Sequence, residues 1–441
     1  MSEFNLISAS NTLGRYAKVV KKSFWIETLG CPKNKVDSEK LAGTLLVDGM
    51  SPADSPSEAN LIVVNTCSFV EQAREESIET VFEYSQMRSE DVQVVVTGCL
   101  AERYGEEISH SLRDDVDAVV GFGVPVSISS KPDVPTFDLL NLPRPKREEP
   151  WAYIKIAEGC DRICGFCAIP SFRGPQRSRP IADIREEVLS LDLQEVVLVA
   201  QDLASWARDQ SDTSLGIVDL VKEISQLVPW VRLLYLYPSS LTGELVEVIA
   251  SSPVPYFDLS LQHVSAPLLR KMRRWGDGER FTGIINRVRD LRPEATFRTN
   301  FIVGYPGETE ADHDELIRFL EKNEIDWCGF FPYSKESGTY AETLGGEVPE
   351  ALVMERLREL ADLQDRITEK KQDSQIGNRM SVLIESQGIA RSHREAPEID
   401  GLIHVPDTLK VGSFETVVIR EALGVDLKAE IHDFNYRGSD D

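Results

Sequence analysis

Short apolar runs alternate with amphipathic stretches along most of this 441-residue chain. Near the start, 24–28 reads as a strand leading to a helix near 36–48, 61–65 leads to one near 71–87, 92–97 leads to 101–112, and a run at 116–120 follows. Strand-type runs alternating with helical ones predict a parallel sheet with helices packed on it. Six prolines between 121 and 150 rule out a sustained helix or a central strand there, so this stretch reads as a linker.

The alternation resumes from 151. Strands are expected at 153–157, 195–200, 232–236, 257–261, 296–303 and 327–331, with helices at 184–191, 217–226, 244–250, 267–272, 281–291 and 310–323. Six such units predict a partial, TIM-like (β/α)6 barrel, whose site would lie at the C-terminal ends of its strands. Residues 350–373 form one charged helix with Leu352, Leu357, Leu360, Leu363 and Ile367 as its apolar stripe, expected to space the barrel from the tail. Short β-rich runs at 380–385, 389–392, 401–405, 414–420 and 426–431 predict a small antiparallel β-barrel. The fold class is therefore α/β, in three domains: 22–135, 146–374 and 375–441.

Composition adds limits. Hydrophobic content of 41% and charged content of 27% are ordinary for a globular chain. No stretch reaches the ~18–20 apolar residues of a membrane helix. Residues 1–23 lack the apolar core and cleavage site of a signal peptide, so no membrane and a cytoplasmic location are expected. A net charge of −25 repels phosphate backbones and suits a basic partner, although charge of this kind also serves solubility alone.

The seven cysteines change the picture most. An odd number without a secretion signal points away from disulfides and toward metal or catalysis. Cys160-Asp-Arg-Ile-Cys164-Gly-Phe-Cys167 places three thiols in a loop opened by Gly159, just after the first barrel strand. Three thiolates on one short loop can hold three irons of a 4Fe–4S cube and leave the fourth iron open. An open iron can chelate the amino and carboxylate groups of S-adenosylmethionine, and electron transfer to the sulfonium yields a 5′-deoxyadenosyl radical. Zinc would want paired knuckles totalling four ligands, and no histidine lies near.

Cys31, Cys67 and Cys99 are spread, and singly each reads as a small buried hydrophobe. Together each directly follows a predicted strand, and in a parallel sheet those chain ends share one edge. Three thiolates gathered there again suggest a cube with one open iron.

These residues, and several local runs, resemble one family: the methylthiotransferases of the radical S-adenosylmethionine superfamily, most closely the RimO branch. Thr28-Leu-Gly-Cys31-Pro-Lys-Asn-Lys-Val-Asp-Ser-Glu39 resembles that branch's opening, where tRNA-modifying relatives typically have Gln-Met-Asn after the first cysteine. Cys167-Ala-Ile-Pro-Ser-Phe-Arg-Gly174 and Leu261-Gln-His263 lean the same way, and Phe301-Ile-Val-Gly-Tyr-Pro-Gly-Glu308 is shared family-wide. Gln201-Asp-Leu-Ala-Ser-Trp206 and Tyr235-Leu-Tyr-Pro238 are looser variants, and Asn300 stands where Thr or Asp is expected.

The resemblance implies a TRAM barrel in the tail and two 4Fe–4S clusters. Cys31, Cys67 and Cys99 would hold the auxiliary cluster, and Cys160, Cys164 and Cys167 the catalytic radical one. It implies methylthiolation of the β-carbon of an aspartate in the small-subunit ribosomal protein number twelve. Two S-adenosylmethionine molecules would be used per turnover, with a sulfide source and a low-potential electron donor as partners. Phe166 could pack on adenine or be a plain core aromatic. Gln201 and Asp202 could hold polar groups of the cofactor or cap a loop, and Gly304 and Gly307 would let backbone approach adenine. His263 reads rather as a cap or a buried, bonded histidine, Arg298 as a candidate carboxylate partner and Cys328 as structural.

The tail from 375 carries seven Lys/Arg against twelve Asp/Glu, which fits a basic protein better than tRNA. The other readings are a tRNA adenosine methylthiotransferase, and a non-catalytic iron–sulfur or zinc protein that binds RNA through its tail.

Overall fold

The computed structural model describes residues 22–121, 139–211 and 214–431. The chain divides into two compact units: residues up to Lys146 together with Ser171–Arg173, and the remainder.

The first unit is a five-stranded parallel sheet in the order β2-β1-β3-β4-β5: β1 (Ser23–Thr28), β2 (Ser51–Pro52), β3 (Leu61–Thr66), β4 (Gln93–Gly98) and β5 (Ala118–Val119). Helices α1 (Pro32–Val47), α2 (Glu71–Ser85) and α3 (Cys99–Ser111) connect the strands. β3 reads Leu-Ile-Val-Val-Asn-Thr and is buried throughout, as a central strand covered on both faces must be. The described end of the Pro-rich stretch is no loose tether. Its turn at Leu139–Asn141 lies against α1: Lys40 donates to the Leu140 carbonyl, and Arg144 pairs with Glu39.

In the second unit β6 (Trp151–Lys155) precedes a two-stranded pair, β7 (Ala157–Glu158) with β8 (Arg177–Ser178), which brackets helix α4 (Ile169–Arg173). Then follow α5 (Ile181–Leu191), β9 (Glu195–Val199), α6 (Ile217–Ile224), β10 (Trp230–Leu233), α7 (Gly243–Ser251) and β11 (Tyr256–Gln262). After these come α8 (Ala266–Lys271), α9 (Gly278–Leu291), β12 (Thr296–Val303), α10 (Glu310–Asn323) and β13 (Trp327–Pro332). The six barrel strands run parallel as two sheets, β6-β9-β10 and β11-β12-β13, joined by the bridge Leu236–Leu259. Ala152, Ile154, Val196, Leu198, Val231 and Leu233 face the helices and join one core with Ile184, Val188, Leu220 and Phe281.

Alternate strand residues point the other way, into the barrel. Val197 and Val199 are apolar, but most of this set is polar or aromatic, including Trp151, Tyr153, Lys155, Glu195, Arg232, Asp258 and Arg298.

Helix α11 (Glu350–Asp373) departs from expectation. Val353, Leu360, Leu363 and Ile367 belong to the barrel core, and Gln364 donates to the Ile325 carbonyl at 2.9 Å, so the helix is part of the barrel's outer layer, not a spacer.

The tail is a closed five-stranded barrel of β14 (Arg379–Ser386), β15 (Ile389–Arg391), β16 (Ile403–His404), β17 (Phe414–Leu423) and β18 (Asp426–Ile431). It is not wholly antiparallel: β16 and β18 pair parallel. Around a closed ring an odd number of strands cannot all alternate in direction, so one parallel pair is unavoidable.

The segment between β15 and β16 enters the starting ends of the radical barrel's strands. Tyr153 OH donates to the Pro397 carbonyl (2.7 Å), Arg232 Nη1 to the His393 carbonyl (2.9 Å), Trp327 Nε1 to the Arg394 carbonyl (2.7 Å) and Tyr256 OH to Asp400 (2.6 Å). Glu195 bridges Arg232 (2.8 Å) and Arg391 (2.7 Å), and all three side chains are completely buried.

Candidate functional site

Three of the cysteines meet at one edge of the first unit. Cys31 caps the start of α1, Cys67 directly follows β3, and Cys99 is the first residue of α3. β1, β3 and β4 are neighbours in register, so their carboxyl ends place the thiols side by side. Gly30 has φ +93°, and a Cβ there would lie 2.8 Å from both Cβ and Sγ of Cys67. Only glycine lets the turn before Cys31 come so close to the second thiol.

A polar belt ties these ends together. Asn34 Nδ2 donates to the carbonyls of Leu29 (2.9 Å) and Thr66 (3.0 Å), and Asn65 Nδ2 donates to the Asn34 carbonyl and to Ser38 Oγ, both at 2.9 Å. The backbone N–H of Cys67 donates to Ser77 Oγ at 3.0 Å. Arg173, which belongs to this unit, donates from Nη2 to Cys99 Sγ at 3.0 Å.

The thiols lie near enough to shift one another. Burial, then the neighbouring Cys31 and Cys99, push the Cys67 thiol up to about 12. Burial also raises Cys99, opposed by Arg173. For Cys31 burial acts in the same direction, but Lys33, Arg173 and the amides of Asn34 and Lys33 outweigh it and hold that thiol below its ordinary value.

The other trio lies in the second unit. The loop after β7 is pinned at both sides: Gly165 N donates to the Met272 carbonyl (2.8 Å), and Ala341 N donates to the Gly165 carbonyl (2.7 Å). Cys160 Sγ accepts from Arg162 N (3.4 Å), and Cys164 Sγ from Arg274 Nη1 (3.2 Å). Burial, with the neighbouring thiols, pushes Cys160 up to about 11 and Cys167 up to about 12. Neutral, mutually close thiols of this kind deprotonate when a metal replaces their protons.

Among the described residues no three His, Cys, Asp or Glu side chains are gathered tightly enough to hold a single metal ion. A 4Fe–4S cube takes each thiolate on a different iron and so asks for looser convergence. Each trio, all thiol and free of disulfides, has the donor chemistry of such a cube.

Beside the second trio, Asp161, Arg162, Gln176, Asp202, Ser205, Arg208 and Asp209 line a cleft. Asp202 accepts from Arg162 Nε (2.6 Å) and Ser205 Oγ (2.6 Å) through one oxygen, while its other oxygen is buried without a partner. Gln201 donates to Glu158 (2.6 Å), and its own Oε1 is likewise buried and unpartnered. Two idle acceptors at the end of β9 fit a ligand rich in hydroxyl and ammonium donors, as S-adenosylmethionine is.

The remaining expected residues fall as follows. Phe166 is half-buried against the barrel core. A Cβ on Gly304 would lie 2.5 Å from Val353 Cγ2, and one on Gly307 would lie 2.3 Å from Lys271 Nζ, so here the glycines admit α11 and a lysine side chain. His263 is wholly buried, accepts from Ser265 N at 3.0 Å and is pushed down to about 4 by burial. Arg298 does meet carboxylates, those of Asp258 (3.3 Å) and Asp400 (3.4 Å). Cys328 is raised by burial and stands in β13 away from either trio.

Sequence reasoning passed over two arginines beside the cysteine loop. Arg162 and Arg274 lie over the Tyr237 ring at 3.9 and 4.2 Å from its centroid, each also bonded to the cysteine loop. Their signal was there: Arg162 sits inside the cysteine spacing, and Arg274 ends the run Arg270-Lys-Met-Arg-Arg274, a basic island in an acidic chain.

Three family profiles match the chain: the one described as Uncharacterized protein family UPF0004 over 23–121, the Radical SAM superfamily over 154–320 and the TRAM domain over 376–431. Among curated relatives, the ribosomal protein uS12 methylthiotransferase RimO of Myxococcus xanthus is 39% identical, covering 93% of this chain and 92% of that one. Proteins of the same name from Cutibacterium acnes (38%; 91% and 96% covered) and Aquifex aeolicus (38%; 91% and 95%) are similarly close.

Proposed function

Because the chain belongs to the radical S-adenosylmethionine methylthiotransferases, in the RimO group, we propose that it adds a methylthio group to the β-carbon of an aspartate in ribosomal protein uS12. The observation that carries this reading is the doubling of the thiol trio, each at a strand-end loop of its own unit. Insertion of sulfur into a C–H bond needs two provisions: a means of removing hydrogen and a place to hold sulfur.

Cys160, Cys164 and Cys167 would hold the radical cluster, and Cys31, Cys67 and Cys99 the auxiliary one. When bound, the clusters and S-adenosylmethionine supply a low-potential electron, a hydrogen-abstracting carbon radical and a sulfur carrier. The chain's own residues bind, orient and exclude water. Gln201 and Asp202 offer their idle oxygens to the cofactor's donors, and Asp202 fixes Arg162. Met272 and Ala341 hold the loop backbone at Gly165, between the second and third thiols, which limits the reorganisation loading requires. The 392–400 segment closes the barrel's far end.

In this reading 22–135 carries the auxiliary cluster, 146–374 the radical chemistry and 375–441 a docking surface for a basic protein. Of the tail's charges Arg391 and Arg394 are buried, but so are Glu395 and the Asp400 side chain, so its outer surface keeps the acidic balance of the sequence count. Two S-adenosylmethionine molecules per turnover, an external sulfide source and a low-potential electron donor complete the scheme. Action on a ribosomal protein would take place in the cytoplasm; among the described residues no helix is long and apolar enough to cross a membrane.

The test is mass spectrometry of uS12 peptides and tRNA nucleosides from a host lacking this gene, with and without the gene restored. A gain of about 46 Da on an aspartate peptide, absent from tRNA, is expected. The same gain on adenosine alone would overturn the assignment.

A further inference from the structure

The basic island beside the radical loop has no place in the scheme above. In a chain of net charge −25, no acidic residue stands between Asp258 and Asp277, whereas Arg270, Lys271, Arg273 and Arg274 fall almost consecutively. Arg270, Lys271 and Arg273 are exposed, and Trp275 and Tyr340 are 40% and 37% exposed. The Arg273 guanidinium lies over the Tyr340 ring, 3.9 Å from its centroid, which joins the two segments into one surface. Among the described residues Arg270, Lys271 and Arg273 form no ion pair, and Lys271 Nζ reaches the Gly307 carbonyl at 3.4 Å. The acids next in sequence are engaged locally: Asp277 accepts from Arg280 N (2.9 Å) and Glu342 from Gly338 N (2.8 Å).

This surface is built on the cysteine loop. Gly165, between Cys164 and Cys167, donates to the Met272 carbonyl (2.8 Å) and accepts from Ala341 N (2.7 Å), so both patch segments hold it. A Cβ at Gly165 would lie 3.0 Å from the Lys271 carbonyl oxygen and 3.2 Å from Tyr340 Cδ1. Arg274, next along the chain from Arg273, donates to Cys164 Sγ at 3.2 Å. Exposed cations and exposed rings therefore stand directly on the backbone that carries two of the radical-site thiols.

A cluster that gives up an electron must be recharged, and the electron has to enter near the loop that holds it. These cations repel a basic substrate protein. A long phosphate backbone would run off so small a patch onto the acidic remainder of the chain. A compact acidic protein touches the patch alone, and electron-transfer encounters are small interfaces guided by charge. We propose that Arg270, Lys271 and Arg273, with Trp275 and Tyr340, form the docking site for an acidic one-electron carrier protein that reduces the radical cluster. The inference rests on the radical cluster assigned above. One electron leaves the carrier's reduced centre, which is oxidised by one, and enters the oxidised cluster, which is reduced by one; no atom is transferred.

The experiment uses the full chain, loaded anaerobically, with flavodoxin as the acidic carrier and dithionite as a small reductant that needs no docking. Two quantities are read: affinity for oxidised flavodoxin by calorimetry, and the ratio of flavodoxin-driven to dithionite-driven cleavage of S-adenosylmethionine to 5′-deoxyadenosine. Reversing two charges together, Arg270→Glu with Arg273→Glu, is expected to lower both about tenfold at about 0.01 M salt. At about 1 M salt, where the Debye length is about 3 Å, the gap in the ratio should close to within about twofold. Unchanged affinity and ratio at low salt overturn this inference alone. A parent that yields no 5′-deoxyadenosine even with dithionite overturns the radical-cluster reading itself. Weaker binding of a small-subunit ribosomal RNA fragment with flavodoxin affinity unchanged assigns the cations to RNA and overturns the proposal. Should the double variant lose its iron, Arg270→Glu, in the last turn of α8, decides alone: affinity about threefold weaker supports the docking site, and unchanged affinity overturns it.

Discussion

The ion cluster where the tail enters the barrel makes a quantitative prediction. Glu195 lies between Arg232 Nε (2.8 Å) and Arg391 Nη2 (2.7 Å), with no side chain of the three reached by water. Replacing Glu195 by Gln keeps the shape and removes the charge. At an effective dielectric near 20, each contact is worth roughly 4 kcal/mol of Coulomb attraction. Against the loss of two stands relief from burying the carboxylate, several kcal/mol. Arg391 retains Glu385, but Arg232 is left with the carbonyls of Ser392 and His393 and the face of Tyr256. The net cost expected is about 3–5 kcal/mol, the range for breaking a buried pair on one side.

Urea unfolding at pH 7, followed by tryptophan fluorescence, reads this directly. Trp151 lies 5.7 Å from the Arg391 guanidinium, and Trp327 bonds the Arg394 carbonyl. Adding Arg232→Met to Glu195→Gln removes the orphaned cation, so the double variant should be no less stable than the single one. A loss below about 1 kcal/mol in the single variant would refute the reasoning, because it would mean that the cluster is not desolvated. The pH dependence has a fixed sign. Burial works against the Glu195 charge, but Arg391 and Arg232 hold its pKa below the ordinary 4.5. The contribution is therefore present above that value and lost as pH falls through the depressed one.

Three further outcomes follow from single sites. His263, pushed down to about 4 by burial, is held neutral in the fold, so stability should drop by about 2 kcal/mol between pH 7 and pH 5 as the unfolded chain takes up its proton; urea midpoints at the two pH values should show this, and His263→Asn should flatten it. Gly304→Ala forces a Cβ to 2.5 Å from Val353 Cγ2 at φ +84°, a cost of about 2–4 kcal/mol; thermal unfolding should show Val353→Ala restoring part of it. Asp202→Asn takes the charge from under Arg162 and should weaken S-adenosylmethionine binding about tenfold by calorimetry on the cluster-loaded protein, while unchanged affinity would remove Asp202 from the cofactor site.

Most elements were legible because apolar periodicity and turn residues agree along this chain. β12, α10 and α11 have the boundaries their patterns predict, and the strand-end position of Cys31, Cys67 and Cys99 follows from βα alternation alone. What could not be read is whatever depends on partners remote in sequence. Glu195 and Arg232 are single charges in otherwise apolar strands, where a lone charge looks solvent-facing, and only a segment 160 to 196 residues later shows it is not. Arg173 carries no local signal of its partners, since Asn34 precedes it by 139 residues. Parity of the tail barrel depends on closure, which five runs of strand-like sequence do not announce. Gly304 and Gly307 were visible as special positions, but a glycine's reason lies in its neighbour, and the neighbours were Val353 and Lys271.

These remote partners also bear on the tail's role. Deleting 375–441 would strip the partner groups of Tyr153, Tyr256, Trp327 and Arg232, and would uncover Trp230, whose ring lies 4.8 Å from Phe414. Arg298 would lose Asp400 and keep only Asp258. Buried donors and aromatics opened together at one barrel end give an apolar, hydrogen-bond-deficient surface of the sort that aggregates. A chain ending at 374 should therefore unfold at a lower temperature than the full chain, with red-shifted tryptophan emission, before any substrate is offered. An unaltered melting temperature and emission would show that the 392–400 segment contributes little, and the barrel could then be studied alone. If the prediction holds, loss of activity on truncation says nothing about docking. Charge reversals on the exposed tail face, such as Asp407→Lys and Glu421→Lys, are the variants that separate recognition of a basic protein from the barrel's own integrity.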